Sequence, residues 1–268
     1  MKKLFILLFF YLIATSYGPP NCTLFEGDCQ KACHMAEQAI QYGQGSKRSQ
    51  QFFDRSIELC PTFDYSYYEK SVPYAKRGDI VEWKKLIDKA VELEPTEHLA
   101  NRGWYHFFFL NNYEGAIADI EKLDSLRDYD IGATGDAIYH LNILRAICYD
   151  EIGQLDKALG IMESQMNDST HFVSLYDYIC LGVLYLKSEQ YDKAVIAFEK
   201  QEKENDLAEN HFYKAKAYLK LNRISEAKQE LKIADEYYKR NRQMENGYRE
   251  LPFEIYQIDI ANALAELN

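Results

Sequence analysis

Apolar and small side chains return at intervals of three and four residues over most of the chain, which is the spacing that puts them on one face of a helix. The clearest stretch holds Tyr178, Leu181, Gly182 and Tyr185, then Ala194 and Phe198 after a short polar break. That is one helix, a turn and a second helix, with Gly182 and Ala194 small where the two cross and the larger residues filling the groove around them. Stepping 33 residues on from Ala194 reaches Ala227, preceded by Ala215 and Tyr218 and followed by Leu231 and Ala234. Stepping back reaches Ala158, with Ala146 and Tyr149 before it and Met162 after, and then Ala116, with Gly103 on the preceding helix. Behind these, Gly78-Asp79-Ile80 opens a stretch that closes on Glu94-Pro95, with Trp83 at the position of the small alanine, so this unit must be splayed or repacked. The most divergent copy comes first, with Phe53, Ser56, Ile57, Leu59 and Pro61 on its second helix and Gly43 and Gly45 at its turn.

An aromatic-x-x-Leu-Gly-x-x-Tyr helix followed by Ala-x-x-x-Phe, repeated at about 34 residues, resembles the tetratricopeptide repeat (TPR) family. Lys214 departs from it at a position where leucine is usual. The resemblance implies an all-α fold, a right-handed superhelical solenoid of about six helix-turn-helix units over residues 29–240. Residues 17–28 form a cysteine-containing segment ahead of it, and 241–268 a linker and a C-terminal capping helix. Pro252 suits the start of that last helix. Tyr256, Ile260, Ala263, Leu264 and Leu267 then share one face and Asp259, Asn262 and Glu266 the other, as the end of a repeat array requires. The step of 42 from Ala116 to Ala158 is the one irregularity. Its surplus, from Asp124 to Asp136, reads either as a longer second helix with a slack turn or as a ligand-binding loop. Asp124, Asp128 and Asp130 lack the spacing and the closing glutamate of a calcium loop.

Composition changes the picture at the amino terminus. Lys2 and Lys3, an apolar run from Leu4 to Ala14 and the small residues Ala14, Thr15 and Ser16 predict a secretory signal peptide over residues 1–16. The run of about a dozen residues is shorter than the ~20 that cross a bilayer. Cys22 follows Pro20 and Asn21 rather than a small residue, so no lipid anchor is expected. No integral membrane segment is predicted after the signal, and the chain is expected to be periplasmic, envelope-associated or secreted. Loss of Lys2 and Lys3 takes the net charge from −11 to −13, which disfavours nucleic acid as a partner.

Six cysteines suit an oxidising compartment. Cys148 and Cys180 lie in apolar helical stretches and read as small buried thiols. Cys22, Cys29, Cys33 and Cys60 are the disulfide candidates. Cys29 and Cys33 sit one helical turn apart, too far for their β-carbons to bridge, so Cys60 is expected to pair with one of them and Cys22 with the other. Three residues between Cys29 and Cys33 exclude both the haem-attachment motif and the thioredoxin-type motif.

No catalytic motif is present: there is no His-Glu-x-x-His, no Gly-x-Ser-x-Gly and no phosphate loop, and the six histidines are dispersed. A non-enzymatic binding scaffold without metal or cofactor is expected. In the family resembled, first helices line a concave surface that holds a peptide or protein. The matching stretches carry Tyr65, Tyr68, Val72, Trp104, Phe108, Ile143, Ile147, Tyr176, Ile179 and Val183, an apolar surface in place of the lysines, asparagines and arginines that grip a carboxylate. Of these, Tyr65, Tyr68, Trp104, Phe108, Ile143, Tyr176 and Ile179 are the candidate binding residues. Trp104 and Phe108 share one stripe and Gly103, Phe107 and Leu110 another, so Trp104 belongs either to the packing between units or to the binding surface. The alternative function is a structural accessory subunit of a cell-envelope or secretion assembly. Cleavage after Ser16 predicts that the intact mass of the exported protein begins at Tyr17, and full-length chain recovered from the cytosol contradicts it.

Overall fold

The structure is a computed structural model that describes residues 20–247 and 249–267; the expected leader lies outside them. A 3-10 turn, Cys22–Leu24, precedes α1 (Gly27–Ala39), α2 (Lys47–Leu59), α3 (Asp64–Lys76) and α4 (Ile80–Leu93). Then come α5 (Pro95–Leu110), α6 (Tyr113–Leu126), α7 (Leu141–Glu151), α8 (Leu155–Asn167) and α9 (Asp177–Lys187). The series ends with α10 (Tyr191–Glu204), α11 (Ala208–Lys220), α12 (Ile224–Lys239) and α13 (Gln257–Ala265). There is no strand among the described residues, only an isolated bridge between Ala133 and His140. Each odd-numbered helix from α1 to α11 packs on the helix after it, making six pairs, and α13 packs on α12. The pairs fall into two compact units, Met1–Glu94 and Pro95–Asn268.

The turns inside the pairs repeat as faithfully as the helices do. Gly78, Asn111, Gly153, Glu189 and Asn222 all have positive φ, between 49° and 77°, just past the first helix of their pair. These residues follow one another at the same steps as residues 83, 116, 158, 194 and 227, including the long step of 42. In four of the five, the next backbone N–H returns to a carbonyl five residues earlier: Asp79 to Tyr74, Gln154 to Tyr149, Gln190 to Tyr185 and Arg223 to Tyr218. That is a Schellman closure, which satisfies carbonyls the helix end leaves free. Gly78 and Gly153 adopt the left-handed conformation without strain, whereas Glu189 adopts it with a side chain present.

Close approach at a small residue sets the pair geometry. A Cβ built on Gly182 would overlap the Phe198 ring of α10. One on Gly103 would lie 3.3 Å from the Asp119 Cβ and 3.4 Å from the Ala116 carbonyl. In the α3–α4 pair the order of sizes is reversed. Trp83 is fully buried on α4, α3 carries the buried small residues Ser71 and Ala75, and the two helices stay paired.

Three expectations are corrected. The surplus residues do not lengthen α6, which ends at Leu126; they form an ordered loop, 127–140, because Arg127 hydrogen-bonds the carbonyl oxygens of Thr96 and Ile131 and Asp130 pairs with His140. The last helix does not start at Pro252. It begins at Gln257, where Asp259 caps the Tyr256 backbone N–H at 2.8 Å, because residues 242–255 are held elsewhere by α9, α11 and the 127–140 loop. Tyr256 is consequently 47% exposed, and Ile260 is the residue of α13 that is fully buried.

In the first unit Cys22 bridges Cys33 and Cys29 bridges Cys60, with Cα separations of 5.5 and 4.9 Å. They stand in a core of Ala32, Ala36, Phe53, Phe63 and Tyr65. The Ser56 hydroxyl is buried between the Ala32 carbonyl and Ser66, at 2.7 and 2.6 Å. Peptide mapping without reduction is expected to return these two pairs, and replacing Cys29 and Cys60 by serine to lower stability by about 3.5 kcal/mol on the chain-entropy model. Four free thiols at these positions contradict the assignment.

Candidate functional site

In the second unit the faces of α5, α9 and α11 are crossed by an irregular stretch between α12 and α13, the strap, described over residues 242–247 and 249–255. The stretch leaves α12 after Asn241, whose φ of 55° turns the chain. The Arg242 carbonyl accepts the Ala208 N–H at 2.9 Å, at the start of α11. Beside it the Met244 N–H donates to the Glu209 carboxylate at 3.0 Å. The backbone of Glu245 hydrogen-bonds Tyr176 at the head of α9, and the backbone of Ile255 returns to Glu209. Met244, Leu251 and Ile255 are buried, so the strap puts apolar side chains inward and hydrogen-bonds polar groups beneath it.

Arg249 is the deepest polar group of the strap. Its side chain is 8% exposed and its guanidinium meets Asp136 of the 127–140 loop at 2.5 Å. Asp136 is itself fixed by the Thr134 hydroxyl at 2.7 Å and the Ile138 N–H at 3.3 Å. The same guanidinium lies over the Phe108 ring and 4.9 Å from the centroid of the Trp104 ring. Burial pulls its pKa below the ordinary arginine value and Asp136 opposes this, so the group stays charged. A desolvated cation–π contact contributes ~2 kcal/mol, and removing one partner of a buried ion pair costs ~3–5 kcal/mol because the other charge is left unpaired.

Under the strap an aromatic series runs from α5 to α9. Ring centroids are 5.6 Å apart for Trp104 and Phe108, 6.4 Å for Phe108 and Tyr139, and 6.3 Å for Tyr139 and Tyr176. Several buried polar atoms here have no protein partner: Trp104 Nε1, the Tyr139 hydroxyl, and Gln243 Oε1 and Arg249 Nε on the strap.

The candidate residues divide sharply. Trp104, Phe108 and Tyr176 come together under the strap, with Trp104 and Phe108 half-buried. Ile143 and Ile179 are fully buried in the packing of α7 and α9 and offer no surface to a ligand. Tyr65 is a core residue of the first unit, in the cysteine cluster, and Tyr68 is half-buried on α3 in that unit. Sequence reasoning missed Asp136, Tyr139, Glu209 and Arg249. Glu209 had a signal, since it lies one repeat step of 33 residues from Tyr176. Arg249 had none, because it stands outside the repeat.

Other clusters in this unit are internally satisfied. Glu202, His211 and Glu230 lie close enough to share an ion. Lys214 bonds both glutamates, and His211 reaches Glu230 at 2.6 Å and Asp206 at 3.0 Å, so a lysine supplies the cation. The acids Asp124 and Asp130 pair with Arg145 and His140. A cavity of about 600 Å³ lies between the 127–140 loop and residues 170–175, with His140, His171 and the 86% exposed Phe172 on its walls. Both histidines are engaged there, His140 by Asp130 and His171 by Asp177, each at 2.9 Å. Cys148 and Cys180 are buried free thiols whose pKa values burial pushes well up.

Glu209 is fully buried, and that burial, against the backbone donors around it, raises its carboxyl from 4.5 to about 7. Between those values the native chain holds a proton that the unfolded chain releases. The stability due to neutral Glu209 is therefore complete below the unfolded value and is lost as pH rises through about 7. The loss is at most about 3 kcal/mol. Thermal melts across this range are expected to fall with pH, and Glu209→Gln to flatten the fall. Glu69, raised to about 7 by burial in the first unit, contributes with the same sign in both proteins, so the difference between their curves isolates Glu209. Parallel curves contradict the assignment.

No family model matches the chain, and no curated protein matches it. Solved structures do. PilW, a widely conserved type IV pilus biogenesis factor, superposes with a TM-score of 0.61 at 17% identity, over 78% of this chain and 94% of that one. The pilF protein of Pseudomonas aeruginosa gives 0.60 at 12% identity, over 80% and 95%. YrrB, a TPR protein with an unusual peptide-binding site, gives 0.55 at 16% identity, over 70% and 92%. Six helix pairs, their close crossings at small residues and these superpositions together give the chain the tetratricopeptide-repeat fold.

Proposed function

We propose that this chain is an exported, non-enzymatic scaffold that binds a peptide or protein partner on the face formed by its first helices. The observation that carries the reading is the strap itself. The face of α5, α9 and α11 takes in a non-helical length of polypeptide, hydrogen-bonds its backbone through Glu209 and Tyr176, and seats one of its side chains against Trp104 and Phe108. Rigid aromatic side chains of this kind anchor protein interfaces at small entropic cost. YrrB, of the same fold, is described by its peptide-binding site.

Two observations support the non-enzymatic reading. His140, His171 and His211 are each committed to a carboxylate, and the two free thiols are buried with raised pKa values that disfavour the nucleophilic thiolate. The paired cysteines of the first unit support export to an oxidising compartment. No described helix is long and apolar enough to cross a membrane, and the net charge of −11 argues against nucleic acid as the partner. The second reading, a fixed subunit of a cell-envelope or secretion assembly, is favoured by the likeness to PilW, described as a pilus biogenesis factor.

Both readings are tested by in-cell cross-linking and native purification of the tagged chain with Trp104→Ala and Phe108→Ala. A discrete protein adduct is expected, weakened at least ~30-fold by either substitution, as loss of a hot spot of ~2 kcal/mol requires. The variants should still melt cooperatively. A partner that exchanges during purification supports the peptide-binding scaffold, one held in constant stoichiometry supports the accessory subunit, and the absence of any protein adduct overturns both.

A further inference from the structure

We propose that the strap of residues 242–255 is a built-in competitor that closes the groove, and that the partner opens it by presenting an arginine of its own to Asp136, Trp104 and Phe108. The proposal rests on the scaffold reading and adds the regulation of its site and the chemistry of its ligand.

Three observations carry it. First, the strap is attached as a ligand would be. It belongs to neither repeat helices nor capping helix, and α13 packs on α12 rather than on the strap's groove. It is held by contacts of its own residues, among them Arg242, Met244, Glu245, Arg249 and Ile255, and not by helix pairing. Second, the specificity is written in the groove. The Asp136 carboxylate is already oriented by Thr134 and Ile138, and the Trp104 and Phe108 rings face the same guanidinium. A carboxylate in a fixed geometry beside aromatic faces selects a planar, delocalised cation, which is arginine rather than lysine. Third, the strap is an imperfect occupant. It leaves Trp104 Nε1 and the Tyr139 hydroxyl without a protein partner, and its own Gln243 Oε1 and Arg249 Nε likewise. A partner segment that keeps the arginine and adds hydrogen-bonding groups for these atoms binds the same groove better, because unpaired buried polar groups bear the whole cost of leaving water.

The occupant is therefore a protein segment bearing an arginine flanked by apolar and hydrogen-bonding residues. Displacement also uncovers the apolar surface that Met244, Leu251 and Ile255 now cover, giving the partner area beyond the arginine pocket.

The test uses the full processed chain and a labelled synthetic peptide of residues 242–256. Charge reversal in the strap, Arg249→Glu, is expected to open the groove and raise peptide affinity at least tenfold over wild type, while the same peptide with glutamate at the arginine position does not bind. The double variant Asp136→Arg with Arg249→Glu restores an ion pair of opposite sense and is expected to lose the peptide again. Hydrogen exchange on wild type gives an independent readout that needs no variant. The Met244 amide, which donates to Glu209 across the groove, is expected to exchange at least a hundredfold faster than the hydrogen-bonded amides of α9 and α11, reporting opening without global unfolding.

Equal peptide binding by wild type and Arg249→Glu, no binding by a folded Arg249→Glu, or a Met244 amide that exchanges only with global unfolding overturns the proposal. So does a wild-type dimer that Arg249→Glu dissociates, which assigns the groove to a second copy exchanging straps. A strap that stays closed while Trp104→Ala and Phe108→Ala still remove a cross-linked partner overturns the inference alone and leaves the scaffold reading intact.

Discussion

Everything in this molecule depends on how closely two helices approach within a pair. A helix with one apolar face cannot bury that face alone, and two such helices bury it well only if a small residue lets the backbones come near. Gly182 beneath the Phe198 ring is the tightest instance, and Gly103 against Asp119 and Ala116 another. Once the approach is fixed, the turn between the helices is fixed too. This is why residues as different as Gly78, Asn111, Glu189 and Asn222 share one left-handed backbone conformation. Helix pairing imposes the strain on Glu189, and the Gln190 N–H bonded to the Tyr185 carbonyl partly offsets it.

The same dependence explains the two ends. The amino-terminal pair is built from alanines, Ala32, Ala36 and Ala39, which bury little apolar area each. Two disulfides join the start of that unit to α1 and α1 to the end of α2, replacing packing by covalent constraint. At the other end α12 has no following pair to lean on. A short helix, α13, covers it with Ile260, and the residues between them are long enough to reach back to α5.

That reach produces the chemistry of the site. A guanidinium buried among aromatic rings is costly without a counter-charge, and the counter-charge comes from Asp136, on the one loop that exceeds the regular repeat. The irregular step of 42 residues between Ala116 and Ala158 and the irregular stretch after α12 are therefore two halves of one feature. Each departs from the repeat, and they meet over Trp104, Phe108, Tyr139 and Tyr176.

Periodicity alone determined the helix pairs, because small and large residues at fixed intervals are the physical condition for crossing helices and leave a local mark. The cysteine pairing was half-legible for a similar reason. One helical turn forbids the Cys29–Cys33 bridge, but only the folded core chose Cys29 over Cys33 as the partner of Cys60. Of the candidate residues the repeat pointed to, Trp104, Phe108 and Tyr176 come together under the strap, whereas Ile143 and Ile179 face inward once neighbouring pairs close over them. Arg249 and Asp136 are separated by 113 residues and neither belongs to a repeating position. Their meeting depends on where α12 ends and on how the 127–140 loop is pinned. Local sequence spacing records neither, so the tertiary structure alone decided it.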